Sequence, residues 1–315
     1  MGHFLSFLRS VRALPKMQSA LDNLELQLAE LKVLAAQPLV QNIRNGKQIA
    51  SLQDAEFRAF SQFGDDGIIQ YLIQRLAPLP DSFVEFGVED YRESNTRFLL
   101  LNNNWRGLVL DRNQKSVDRI QQDEIYWRHT LTARCAWITR ENINDLLSGA
   151  QFRGEIGLLS IDIDGNDYWV WERIDVVDPV ITIVEYNSIF GPDLAVTIPY
   201  DTNFARHRAH YSGQLWGASL EALKMLANRK GYSLIGCNSA GTNAYFVRND
   251  KIDNLRALET KEAFVDARCR DSRDQTGKLT HLTGNQRFQA IADMEVHDLR
   301  QNKLARLSSL LPLTS

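Results

Sequence analysis

The feature that most constrains this chain is the alternation of short apolar runs with amphipathic segments from residue 65 to 248. Helical spacing over 65–77 (DDGIIQYLIQRLA) leads to a short strand at 82–87 (SFVEFG). Helix is expected over 93–104, strand over 107–111 (GLVLD), helix over 114–123, strand over 129–138 and helix over 140–149. Strand 156–162, helix 167–174 and strand 180–186 (VITIVEY) follow, then an irregular stretch to about 213. Helix 217–230 precedes two strands, 231–237 and 243–248, joined by NSAGT. Strands that alternate with helices form a parallel sheet covered on both faces. The expected fold is therefore α/β, a Rossmann-like doubly wound sheet of about seven strands. The closing pair has a glycine-containing turn and reads as a hairpin, so the last strand runs antiparallel.

Upstream, Leu14, Met17, Leu21, Leu24, Leu28 and Leu31 recur at alternating steps of three and four, and Ala35 continues them. Such a seam favours a coiled coil between subunits, a homo-oligomer through residues 14–35. The alternative is an amphipathic helix packed on its own domain. Pro38 ends this helix, and Asn45-Gly46 lies in the linker that follows. The expected division is a helix over 1–37, a linker over 38–56, the main domain over 57–250 and a helical C-terminal extension over 251–315. Leu299, Leu304, Leu307 and Leu311 give the extension a seam-like spacing. Within residues 1–12, Phe4, Leu5, Phe7, Leu8 and Val11 share one helical face beside Arg9 and Arg12. They read as a frayed helix start or as a peripheral membrane contact.

A formal charge of −3 gives no reason to expect a nucleic-acid partner. Cys135, Cys237 and Cys269 are far apart and lack CxxC pairing, which suits reduced thiols in a cytoplasmic protein. No stretch offers about 18 unbroken apolar residues, so no membrane span is expected.

In open α/β sheets ligands bind beyond the carboxyl ends of the strands, so the polar residues there are the candidates. The first strand ends in Glu85-Phe86-Gly87-Val88-Glu89-Asp90, the second in Asp111, the fourth in Asp162 and the fifth in Glu185-Tyr186-Asn187. Gly87 lets backbone approach a ligand closely. An acid placed like Asp111 can accept from both ribose hydroxyls of an adenosine. Against these stand blander roles: Asp164 and Asp167 as caps of the helix near Asn166, Asp65 and Asp66 as helix-start residues, and Trp169 and Trp171 as core aromatics.

The segments SQFGDDGIIQYLI (61–73), FVEFGVEDYRESNT (83–96), GLVLDRN (107–113), LLSIDIDGNDYWVW (158–171) and VEYN (184–187) together resemble the FkbM-like branch of class I S-adenosylmethionine (SAM)-dependent methyltransferases. The resemblance covers roughly residues 60–250, and 231–248 resembles the closing hairpin of that fold. It implies that Gln62 contacts the cofactor carboxylate, that Glu85 and Gly87 line the methionine portion, and that Asp111 holds the ribose. It further implies that Arg134 to Trp137 flank the adenine and that Asp162 faces the sulfonium and the substrate. The implied activity is O-methylation of a sugar or another hydroxyl acceptor, with surface-glycan biosynthesis as a setting. One departure stands out: only Gly87 remains of the GxGxG loop of many class I methyltransferases.

A hydroxyl acceptor needs a base or a metal to take or weaken its proton. Asp162, Asp164, Glu185 and Asn187 offer an all-oxygen ligand set suited to Mg²⁺. His207 and His210, in the long stretch after the fifth strand, are the other acid–base candidates beside Asp162. Two rival functions remain open. Asp162-Ile163-Asp164 is a DxD string, as metal-dependent glycosyltransferases use. The chain also reads as a non-catalytic coiled-coil assembly protein with a degenerate methyltransferase domain.

Overall fold

The computed structural model describes residues 2–46, 49–268 and 270–311, with side chains described from Met17 onward apart from residues 18, 19 and 22. The side chains of 1–12 and Leu14, and the whole of Cys269, lie outside the described residues. Of the other cysteines, Cys135 is exposed and Cys237 buried, and both are free.

Helix α1 (Gly2–Arg44) leads to α2 (Asp65–Arg75) and then β1 (Ser82–Phe86). Next come α3 (Arg97–Asn103), β2 (Arg106–Asp111), α4 (Gln114–Gln122), α5 (Glu124–Arg128) and β3 (Leu131–Cys135). Helix α6 (Ile143–Gly149), β4 (Gly154–Ile161), α7 (Asp167–Arg173) and β5 (Val177–Glu185) continue the alternation. After β6 (Val196–Thr197) and α8 (Arg206–Ala209) come α9 (Leu220–Lys230), β7 (Tyr232–Cys237) and β8 (Asn243–Arg248). The extension holds α10 (Thr260–Ala263), α11 (Asn285–Ile291), β9 (Glu295–Asp298) and β10 (Lys303–Arg306).

The seven-stranded sheet has the order β3-β2-β1-β4-β5-β8-β7. It is parallel except for β8, which pairs antiparallel with both β5 and β7. The last strand is therefore antiparallel as expected, but it is inserted between β5 and β7, and β7 forms the edge. Side chains alternate across the sheet. Val84, Phe86, Leu108, Leu110, Leu159 and Ile161 pack with residues of α6, α7 and α9 in one core. Phe83, Val109, Leu158, Ile181 and Ile183 pack with residues of α2, α3 and α4 in the other.

Helix α1 does not stop at Pro38 but runs on to Arg44. A proline inside a helix costs about 3 kcal/mol or more, and tertiary packing offsets that here. Ala29, Ala36 and Val40 are buried against Ala59, Phe60 and Phe98. The described part of the leucine seam, Met17, Leu21, Leu24, Leu28 and Leu31, lies on the other side of the helix and is exposed. The C-terminal extension is less helical than expected. Its β9 and β10 form an antiparallel hairpin, and β9 also pairs with β6 to give a three-stranded sheet. A third core of Phe190, Ile198, Leu215, Phe288, Ile291, Val296 and Leu307 welds the extension to the segment after β5.

Candidate active site

The register of the parallel strands brings their carboxyl ends to one edge of the sheet. Phe86 pairs with Leu110 on β2 and with Ile161 on β4, and Ile161 pairs with Val184 on β5. Glu85, Asp111, Asp162 and Glu185 thereby all line one cavity of about 650 Å³. Pockets for small ligands and cofactors run from about 300 to 1,000 Å³. Gln62, Gly87, Trp137, Asp164 and Arg206 also line it.

Glu85 and Asp111 are buried and tie loops together. Glu85 Oε1 accepts from Asn95 N at 2.8 Å, and Oε2 accepts from Thr96 N at 3.1 Å and from the Thr96 hydroxyl. Burial raises the Glu85 carboxyl to about 7, against the lowering effect of these bonds. Asp111 Oδ2 accepts from Glu89 N at 2.8 Å and Oδ1 from Asn113 N at 2.7 Å. Each oxygen keeps acceptor capacity for a ligand hydroxyl.

Gly87 has φ +74°, and a Cβ built on it would lie 1.6 Å from the carbonyl oxygen of Asp162. The glycine expected to make room for a ligand thus makes room for the β4 backbone. That contact sets how closely the loops after β1 and β4 converge.

Asp162, Asp164 and Glu185 each offer a carboxylate oxygen within 4.8 Å of the others. Burial is the largest cause raising Asp162, to about 8, followed by the charges of Asp164 and Asp167. Glu185 is likewise raised, first by burial and then by the charge of Asp162. Its Oε2 is buried without a hydrogen-bond partner. Burial thus favours the protonated form of Asp162 at neutral pH, and a bound cation would favour the ionised one.

The loop from Asp162 to Asp167 is strained. Asp164 adopts φ +56°, a conformation uncommon outside glycine. Asp167 holds it there: Oδ1 accepts from Ile163 N and Oδ2 from Gly165 N, both at 2.8 Å. Asp167 thus lies in the first turn of α7 but braces the preceding loop, and burial raises its carboxyl to about 6.

Arg206 supplies the cation beside these acids. Its Nη1 donates to Asp164 Oδ1 at 3.0 Å, Nη2 to Asp271 Oδ2 at 2.8 Å, and Nε to Gly213 O at 2.7 Å. The guanidinium also lies 4.8 Å from the centre of the Trp216 ring. Asp271 connects the extension to this corner, and accepts from Gln214 Nε2 at 3.1 Å.

The other sequence candidates divide. Gln62 and Trp137 line the cavity, and Trp137 Nε1 donates to Thr202 O at 2.7 Å. Asn187 does not line it. Its Nδ2 donates to Gln214 O and Trp216 O, both at 3.0 Å, and its Oδ1 accepts from Ile189 N at 3.1 Å, which leaves the amide turned away from the three acids. His207 is exposed and lines no part of the cavity. His210 is half-buried, bonded through Nδ1 to Ser212 Oγ at 2.7 Å, and also lies off the cavity. Trp169 and Trp171 are buried in the core. Asp65 and Asp66 begin α2; the Asp65 carboxylate also ties it to the β7–β8 hairpin, while Asp66 accepts from Ala59 N, Phe60 N and Ser61 N just ahead of the helix. Asn95, Asn113 and Asn243 line the cavity without having been singled out in the sequence, and Glu89, just beyond the end of β1, lines it too. Arg206, which in the sequence reads with Arg208 as a cation for an anionic acceptor, is paired here with Asp164 and Asp271, and Asp271 had no local signal at all.

No family model matches the sequence, and no curated protein matches it. Solved structures do show similarity. M. capricolum TrmK with S-adenosyl-homocysteine is 14% identical, with 61% of this chain and 74% of that chain covered and a TM-score of 0.36. An O-methyltransferase from Bacillus cereus in complex with S-adenosyl-homocysteine is 14% identical, over 67% and 89% of the two chains, with a TM-score of 0.39. The N-terminal domain of EvdMO1 with S-adenosyl-homocysteine bound is 11% identical, over 70% and 96%, with a TM-score of 0.40. Likeness at this level is coarse and assigns no site residue here. What the chain's own strand order establishes is a Rossmann-like, doubly wound sheet with a single antiparallel strand, β8.

Proposed function

We propose that this chain is a SAM-dependent methyltransferase of FkbM-like type that O-methylates a sugar or another hydroxyl acceptor. The observation that carries the reading is the convergence of Glu85, Gly87, Asp111, Trp137 and Asp162 on one cavity. A non-catalytic domain has no need to keep such a cavity open, and a glycosyltransferase leaves Glu85 and Asp111 only their loop-tying bonds.

The lining fits the cofactor in chemistry as well as size. Asp111 retains acceptor capacity for ribose hydroxyls, and Trp137 offers an aromatic plane. The acids at the ends of β4 and β5 suit a neighbouring positive charge. When bound, SAM supplies a methyl group on a cationic sulfur. The chain's own residues align the acceptor hydroxyl, exclude water and take up its proton. Asp162 faces the cavity, and its ionised form can take up that proton, so the step is favoured as pH rises toward about 8. His207 and His210 lie outside it. Asp162, Asp164 and Glu185 could instead hold Mg²⁺, a hard cation that prefers oxygen ligands. Asn187 does not complete that set.

The same reading takes a small-molecule or glycan acceptor, a cytoplasmic setting and surface-glycan biosynthesis as its context. It also accommodates a homo-oligomer through residues 14–35 and peripheral membrane contact through residues 1–12. No helix among the described residues is long and apolar enough to cross a membrane.

The deciding experiment is calorimetry of purified protein with SAM, S-adenosylhomocysteine and nucleotide sugars. Binding of the first two, weakened in Asp111→Ala, is expected. Silence toward both, with a nucleotide sugar bound, transfers the case to the glycosyltransferase reading. An EDTA-treated sample that keeps full activity removes the metal.

A further inference from the structure

We propose that α1 joins this chain to a second copy of itself, in parallel, through the stripe formed by Met17, Leu21, Leu24, Leu28 and Leu31. The inference is independent of the transferase reading.

The helix has two apolar faces. One is occupied: Ala29, Ala36 and Val40 are buried against Ala59, Phe60 and Phe98, and Val33 packs beside them. Two ion pairs, Glu25 with Arg92 at 2.6 Å and Glu30 with Arg128 at 4.0 Å, hold the helix on its own domain. Lys32 Nζ adds a contact 5.1 Å from the centre of the Phe60 ring.

The opposite face is bare. Met17, Leu21, Leu24, Leu28 and Leu31 are each more than half exposed, as is Leu34. A run of large side chains like this on one side of a helix is a contiguous apolar surface, and such surfaces mark interaction sites.

The spacing identifies the occupant. Steps of three and four alternate without a break from Met17 to Leu31. That 3.5-residue period stays aligned only against a helix that supercoils with this one. A lipid surface favours a broader apolar face opposite a strongly basic one. Here the stripe is flanked by Ala20, Gln27, Glu25 and Lys32. This chain itself carries the matching heptads, so a second copy is complementary.

The flanks also favour the parallel arrangement. With leucine at the core positions, Leu34 takes a g position and Leu39 the e position of the next heptad. In a parallel pair, g faces the following e of the partner helix. Leu34 then meets the partner's Leu39, Gln27 meets the partner's Lys32, and Ala20 meets the partner's Glu25. No like charges oppose one another, and the exposed leucines at 34 (65% exposed) and 39 (43% exposed) cover each other.

The test uses the full chain. Light scattering of the wild type is expected to give at least twice the chain mass of 35.9 kDa. The double substitution Leu24→Asp, Leu28→Asp should return it to 35.9 kDa. Its domain melting temperature should stay unchanged, because neither side chain belongs to the cluster that holds α1 on the domain. In a Cys135→Ser, Cys269→Ser background, Leu21→Cys and Leu31→Cys should each oxidise to a covalent dimer that the background alone does not form, since in a parallel pair each core position faces its own counterpart. A monomeric wild type overturns the proposal, as does an unchanged mass in the double variant or a failure of either cysteine to cross-link. A monomer that sediments with anionic vesicles through this stripe also overturns it, in favour of a membrane surface.

Discussion

The carbonyl oxygen of Asp162 occupies the space that a side chain at residue 87 would need: an ideal Cβ on Gly87 falls 1.6 Å from it. The loops leaving β1 and β4 therefore touch backbone to backbone at the floor of the cavity. The contact is possible only because residue 87 has no Cβ and adopts φ +74°.

Gly87→Ala forces that contact apart and strains the backbone. Destabilisation of about 2–4 kcal/mol is expected from strain and overpacking together. SAM affinity should fall in the same variant, because Glu85 and Asp162 would separate. A urea-denaturation midpoint equal to wild type would refute this account of the glycine.

Asp65 is a stability prediction away from the chemistry. Its Oδ1 accepts from Asn238 Nδ2 at 3.1 Å, from Asn243 Nδ2 at 3.0 Å and from the Tyr245 hydroxyl, which pins α2 to the β7–β8 hairpin. Asp65→Ala strands these buried donors and should cost about 3–5 kcal/mol. Chemical denaturation measures the loss, and a cost under about 1 kcal/mol, the net worth of an ordinary hydrogen bond, would show that the hairpin is held by other contacts.

Trp137 is 41% exposed, and its removal leaves the cores intact. Trp137→Ala should therefore barely change the melting temperature. It should weaken SAM and S-adenosylhomocysteine binding by about 5- to 150-fold, since stacking of a base on an aromatic ring contributes about 1–3 kcal/mol. Calorimetry on the variant decides, and unaltered affinity would move the adenine elsewhere in the cavity.

Stability should decline as pH rises through neutrality. Burial, the largest cause in each case, raises Asp162 from 3.8 to about 8, Glu85 from 4.5 to about 7 and Asp167 from 3.8 to about 6. A carboxyl raised in the folded state binds its proton more tightly there than in the unfolded chain. Its contribution is fully present below the unfolded value and is lost as pH rises through the folded one. The window runs from 3.8 to about 8 for Asp162. Asp162→Asn keeps a neutral group there and should flatten the upper part of the curve. Urea midpoints at several pH values test the slope, and stability that rises between pH 5 and 8 would contradict it.

Much of the sheet was legible because its signals are local. Apolar runs such as 158–161, punctuated by turns and helical spacing, show where strands lie, and the NSAGT turn marks β8 as antiparallel. The insertion of β8 between β5 and β7 is a pairing choice that no local signal carries. Pro38 misled for the same reason: its local cost is visible in sequence, while the packing of Val40 on Phe60 and Phe98 is not.

The sequence by itself determined the strand–helix alternation, the acids at the strand ends and the heptad stripe, since periodicity and turn chemistry are properties of neighbouring residues. Only the tertiary structure decided which groups share the cavity. It admitted Asp162, Asp164 and Glu185, turned Asn187 away, left His207 and His210 outside, and brought in Arg206 under the hold of Asp271. Those outcomes depend on side-chain direction and long-range contact, and the distance from 206 to 271 along the chain says nothing about either.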